Sequence, residues 1–191
     1  KENWIETIEK FNLDNVKIIT NGSLHKINDA TIYDLIIVDE AHKFRSDTAG
    51  MYNELQKICK TPTRRVLPDG QTVPKRVILI SATPLNNKPE DIANQIYLFQ
   101  DSKESTLEVG NLQHFFRQQI DAYKKLKDET DIAKVQAGVK KIYEKIRTKV
   151  IEPLIVRRTR TDLMAHELYA KDLEKQGIKF PIVRQPKKIL Y

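Results

Sequence analysis

Tyr33-Asp34-Leu35-Ile36-Ile37-Val38-Asp39-Glu40-Ala41-His42 is the stretch that decides the fold. Four consecutive apolar residues run straight into two adjacent carboxylates. A short apolar run without polar alternation reads as a strand buried on both faces of a helix-covered sheet. In open α/β sheets, ligands gather at the carboxyl ends of the strands, where Asp39 and Glu40 emerge. Two carboxylates in that place suit nucleotide hydrolysis. One can hold Mg²⁺, usually through the ion's water shell. The other can orient and polarise the water that attacks the terminal phosphate.

Downstream, Val77-Ile78-Leu79-Ile80 forms a second run of the same kind. Between the two runs, residues 49–60 have the pattern of a crossover helix, with Ser46 and Asp47 as capping candidates. A strand–helix–strand unit of this length implies a parallel α/β sheet. Upstream, Trp4, Ile5, Ile8 and Phe11 have helical spacing over residues 3–11, and residues 16–20 read as a further strand before an Asn21-Gly22 turn. Residues 61–75 interrupt the unit. Pro68-Asp69-Gly70 gives them the turn chemistry of a small surface hairpin. Arg64, Arg65, Lys75 and Arg76 flank it, either as phosphate contacts or as solvated charge.

The second strand ends in Ser81-Ala82-Thr83-Pro84, so small hydroxyl residues emerge on the same sheet edge as Asp39 and Glu40. From there they can hydrogen-bond Glu40 or His42; the plainer reading is a strand-to-turn junction. A helix follows from Pro89, with Glu90 and Asp91 favourable in its first turn.

The remainder is helical. Leu112, Phe115, Phe116, Tyr123 and Leu126 line one helix, and Ile132, Val135, Val139, Ile142, Ile146 and Val150 line the next. Joined by the polar residues 127–130, they form a hairpin with facing apolar seams. Lys134, Lys141 and Lys145 fall within roughly 40° of one another, away from that seam. Such a stripe either follows a phosphate backbone or keeps the hairpin soluble. Pro153 ends the second helix, Arg157 and Arg158 follow, and a short helix over residues 162–175 precedes a proline-punctuated tail.

Of the 191 residues, 40% are hydrophobic and 31% charged, an ordinary globular balance. The net charge is +7. Residues 1–110 carry 14 basic and 16 acidic side chains, whereas residues 111–191 carry 19 and 10. The positive excess therefore lies entirely in the second part, which favours a polyanionic partner, nucleic acid first among them. A single Cys59 excludes a disulfide framework and a cysteine zinc site. His25, His42, His114 and His166 have no ligand spacing. No apolar run reaches the roughly 18 residues of a membrane span, and no signal-peptide pattern opens the chain. These features fit a soluble chain of a reducing compartment, the cytoplasm in a bacterium or the nucleus in a eukaryote.

Together, these stretches resemble the first RecA-like lobe of superfamily-two helicase-related ATPases, in particular the Swi/Snf-type DNA translocases. Residues 3–11 match the helix after the family's motif Ia. Residues 33–42 match motif II, here with a DEAH box, and residues 81–87 match motif III. Residues 153–159 look like the arginine-pair signature near the end of the lobe. The resemblance implies a RecA-like parallel sheet flanked by helices, with an inserted helical hairpin. It divides the chain into a lobe core at 1–104, a helical protrusion at 105–152, and an arginine-pair segment with helix and linker at 153–191.

The resemblance further implies that Asp39 binds Mg²⁺–ATP and Glu40 activates the hydrolytic water. His42, with Ser81, Ala82 and Thr83 of motif III, would couple hydrolysis to movement. Thr20 and Asn21 fall where family members contact a DNA strand, and Arg157 and Arg158 at the lobe junction. The implied partner is double-stranded DNA, with a protein displaced from it or loaded onto it, and no membrane. Ser-Ala-Thr in motif III sits better with a bacterial or viral member than with a nucleosome remodeller.

One departure matters. The G-x-x-x-x-G-K-[ST] loop that cradles phosphates in such enzymes is not among these residues. In the family it lies upstream of motif Ia, and the second lobe lies downstream. The expectation is a lobe without its phosphate-loop strand, inactive as an ATPase alone. Two other readings stand beside the motor: a non-catalytic protein- or DNA-binding module on a RecA-like scaffold, and an RNA helicase.

Overall fold

The computed structural model describes residues 2–46, 50–81, 88–156 and 160–181. Two compact units divide the chain, residues 1–153 and 154–191.

The first unit begins with helix α1 (Glu2–Lys10), which carries Glu2 in its first turn and Lys10 in its last, each complementing the helix dipole. No α1 residue is fully buried. Asn12 and Asn15 then take positive φ, 47° and 58°, a conformation asparagine tolerates better than most side chains. Residues 16–20, expected as a strand, make no strand pairing among the described residues and lead into a 3-10 turn at Asn21–Lys26. Val16 is 49% exposed. An extended segment is a strand only where a neighbouring strand pairs with it, and among the described residues none pairs with this one.

Strands β1 (Leu35–Val38) and β2 (Arg76–Leu79) pair in parallel, with Leu35 opposite Arg76 and Val38 opposite Leu79. Helix α2 (Gly50–Lys60) makes the crossover and buries Tyr52, Leu55, Ile58 and Cys59. The strand–helix–strand unit thus forms as its sequence indicates.

Burial on both faces does not follow. Strand side chains alternate between faces. Ile36, Val38, Val77 and Leu79 pack on a core of Ala41, Phe44, Tyr52, Leu55, Cys59 and Leu98. On the opposite face Leu35, Ile37, Ile78 and Ile80 are 40–48% exposed. Among the described residues, every element packed on this sheet lies on one side, so the uninterrupted apolar runs are half covered.

The insertion at 61–75 is the expected hairpin. Leu67 N–H donates to Gln71 O at 2.8 Å, and Gly70 turns the chain at φ 83°. Its cations are engaged: Arg64 with Asp29, Arg65 with Asp34 at 3.1 Å, and Lys75 Nζ with the Thr61 and Pro62 carbonyls. Solvated and paired charge is what this stretch supplies.

Helix α3 (Pro89–Tyr97) starts at its proline, with Asp91 accepting Lys88 N–H. Helices α4 (Leu112–Lys125) and α5 (Ile132–Ile146) form the hairpin. Asn111 caps the first through His114 N–H at 2.7 Å, and Asp131 caps the second through Ala133 N–H at 2.9 Å. A π-helical turn at Arg147–Ile151 continues α5. The seam is buried at Leu112, Phe116, Ile142, Ile146 and Val150, but Ile132 at the tip is 73% exposed.

In the second unit, the single helix expected over 162–175 is two: α6 (Arg160–Ala165) and α7 (Glu167–Lys175). His166 stands between them in extended conformation, φ −91° and ψ 116°. Gly177, at φ 66°, ends α7, with Gly177 N–H on Glu174 O and Ile178 N–H on Leu173 O.

Candidate functional site

Hydrogen bonding along the sheet continues past the last paired residues. Ile80 N–H donates to Val38 O at 2.8 Å, and Ala41 N–H donates to Ile80 O at 2.9 Å. Ile80 therefore grips the chain on both sides of Asp39-Glu40 and sets Ser81 at the same carboxyl edge. Ala82 and Thr83, the other motif III candidates, lie outside the described residues, as do Arg157 and Arg158.

Between those two bonds the backbone reverses through Glu40, which holds a left-handed conformation, φ 54° and ψ 45°. For a residue with a Cβ this costs of order 1–3 kcal/mol, and such strain concentrates at functional positions. Its effect is to give two neighbouring carboxylates different surroundings. Asp39 Oδ1 accepts Glu40 N–H at 2.9 Å, and Asp39 Oδ2 accepts the Trp4 indole N–H at 2.9 Å. Glu40 Oε2 approaches His42 Nδ1 to 3.0 Å. That approach lies outside hydrogen-bond geometry, and the buried Nδ1 has no hydrogen-bond partner among the described residues.

The turn that carries these groups is anchored from below. Ala41 and Phe44, in the 3-10 turn Ala41–Phe44, are buried. From α3, the buried Gln95 Nε2 donates to Ala41 O at 3.4 Å, and Asn94 Nδ2 donates to Arg45 O at 2.9 Å. Tyr52 Oη on α2 donates to Asn94 O at 2.8 Å, tying crossover helix to α3. Sequence reasoning singled out none of Trp4, Gln95 and Asn94 for the site. Two adjacent amides among apolar residues of α3 were the one signal available for the latter pair.

Asp39, Glu40, His42 and Ser81 thus share one end of the sheet. The remaining candidates stand elsewhere in the unit. Thr20 precedes the 3-10 turn and donates to Ser23 Oγ at 3.1 Å, with the half-buried Asn21 next to it. Lys134, Lys141 and Lys145 are exposed on α5. Lys134 stands 3.9 Å from Asp131, while Glu144 and Glu152 lie beside Lys141 and Lys145 in a shallow depression.

Among the described residues, no cluster of three or more His, Cys, Asp or Glu side chains is arranged to hold a metal ion. No helix there is long and apolar enough to cross a membrane.

A parallel strand–helix–strand unit with paired carboxylates at the strand's carboxyl end defines an α/β protein of the class that handles ligands at that edge. The chain belongs to the SNF2-related domain family, which it matches over residues 4–183. This is a family of Swi/Snf-type, helicase-related ATP-dependent motors. No curated protein and no solved structure is significantly similar to the chain.

Proposed function

We propose that the chain is the first RecA-like lobe of an ATP-dependent motor that moves on double-stranded DNA. In this reading residues 1–104 are the lobe core, 105–152 a helical protrusion, and 153–191 the segment leading to a lobe junction through Arg157 and Arg158. The observation that carries it is the difference in surroundings between the adjacent carboxylates of Asp39 and Glu40. Asp39 has one N–H on each carboxylate oxygen and so one free acceptor site on each. That donor set suits a hydrated Mg²⁺ completed by phosphate oxygens, since Mg²⁺ keeps several waters and is usually bound by one or two carboxylates plus substrate. When bound with ATP, the ion neutralises charge developing on the phosphates.

Glu40, turned away from Asp39 by its left-handed backbone, orients and polarises the attacking water. His42, touching Glu40 at 3.0 Å, passes the state of that carboxylate toward Ser81, Ala82 and Thr83. Lys134, Lys141 and Lys145, with Thr20 and Asn21, contact the DNA backbone without reading sequence.

The test is ATP turnover with duplex DNA, measured on this chain and on a polypeptide that adds a phosphate-binding loop and second lobe. The chain alone is expected to be inactive. The longer polypeptide is expected to be stimulated by duplex DNA and to lose about 10²–10⁴-fold in rate on Glu40→Gln. Replacing Lys141 and Lys145 by Ala should lower the salt slope of DNA binding by about 1.8. Better activation by single-stranded RNA would establish an RNA helicase instead. Absence of turnover with any nucleic acid would establish a binding module.

A further inference from the structure

The hydrogen bond from Trp4 Nε1 to Asp39 Oδ2 spans 35 residues and joins α1 to the candidate site. An aspartate at an exposed strand end has a broad terminal torsion, so its carboxylate plane is free unless neighbours fix it. Here Glu40 N–H holds Oδ1 and the indole holds Oδ2, both at 2.9 Å. One directional donor on each oxygen fixes the plane while leaving an acceptor site on each. The indole N–H is a donor only. It neither ligates a cation nor accepts a proton, so its contribution is geometric.

We propose that Trp4 is a positioning residue for Asp39: the indole holds Oδ2 so that its remaining acceptor site meets the water shell of a divalent cation. This deepens the reading of Asp39 as the cation-holding carboxylate and rests on it. The indole–carboxylate contact itself is independent of that reading. Outer partners of this kind orient a ligand and strengthen its hold, and their loss typically weakens metal binding about 10–100-fold. With no fully buried residue in α1, replacing Trp4 leaves the core intact, and Trp4→Phe keeps the helix face apolar.

The chain has one tryptophan, so a ¹⁵N-labelled sample shows one indole N–H resonance. Mn²⁺ alone serves as the probe, because it replaces Mg²⁺ at oxygen sites and broadens nearby resonances. Asp39→Ala is expected to shift the indole resonance, and Mn²⁺ to broaden it in the unsubstituted chain. Trp4→Phe should weaken Mn²⁺ binding, followed by electron paramagnetic resonance, about tenfold, with an unchanged unfolding midpoint. An indole resonance indifferent to Asp39→Ala, or equal Mn²⁺ affinity in Trp4→Phe, overturns the positioning role. In that case, loss of Mn²⁺ binding in Asp39→Ala still upholds the cation reading. Mn²⁺ binding indifferent to Asp39→Ala removes the cation reading, and the positioning role with it.

Discussion

Leu126 seats directly on Gly138: a Cβ at position 138 would lie 2.7 Å from Leu126 Cδ2 and 2.9 Å from Cδ1. The chain leaving α4 is thereby locked against the middle of α5.

Gly138→Ala therefore sets two effects against each other. Alanine inside a helix gains about 1 kcal/mol over glycine, while overpacking a filled site costs about 1–3 kcal/mol. Net destabilisation of about 1 kcal/mol is expected in the unsubstituted chain. In a Leu126→Ala background the sign should reverse. Urea unfolding of the four chains gives the coupling, and equal effects in both backgrounds would mean that the seat is absent.

Glu40→Gly separates strain from chemistry. Relief of the left-handed backbone is worth about 1–2 kcal/mol. The added freedom of glycine when unfolded returns about 0.5–1 kcal/mol of that. The variant should be slightly more stable than the parent chain and, in a complete motor, unable to hydrolyse ATP. A clear loss of stability would show that the turn depends on the Glu40 side chain.

Asp29 carries the chain's acid sensitivity at the insertion. Its carboxylate accepts the Thr31 hydroxyl and amide and pairs with Arg64, holding its pKa down at about 2. A depressed carboxylate contributes stability above its unfolded pKa and loses it as pH falls through the folded value. The contribution is therefore complete above about pH 4 and fades toward pH 2. Thr31→Val and Arg64→Ala should each raise the Asp29 pKa, as followed by its carboxyl ¹³C resonance through an acid titration. Unchanged titration in both variants would refute the network.

Cys59 should resist thiol reagents. Burial on α2 pushes its pKa up to about 12, and the thiolate is the reactive form. Labelling by a disulfide reagent in native buffer is expected to be slow and to accelerate sharply across the urea unfolding transition. Fast native labelling would show that α2 opens locally.

The site was legible where its signal is contiguous. Val38 running into Asp39-Glu40 carries strand, strand end and chemistry in six neighbouring residues, so periodicity finds them. Pro89 announces a helix start for an equally local reason. Residues 16–20 failed because an extended conformation becomes a strand only with a partner, which no local pattern supplies. Ile132 failed because the seam pattern cannot tell how far the opposite helix extends. Arg64 and Arg65 read as phosphate contacts or solvated charge, and no local pattern shows that Asp29 and Asp34 pair with them.

What the chain's sequence by itself determined is most of its helices, the parallel crossover unit, and the carboxylate pair at its edge. Each element in them depends on spacing and propensity within about a dozen residues. Only the tertiary structure decided which face of β1 and β2 is covered, that Gln95 and Asn94 brace the turn beneath Glu40, and that Trp4 holds Asp39. Those contacts join residues 35 to 54 positions apart. A hydrogen bond at such separation exists only once the intervening chain has folded, because its geometry is set by packing and not by sequence distance.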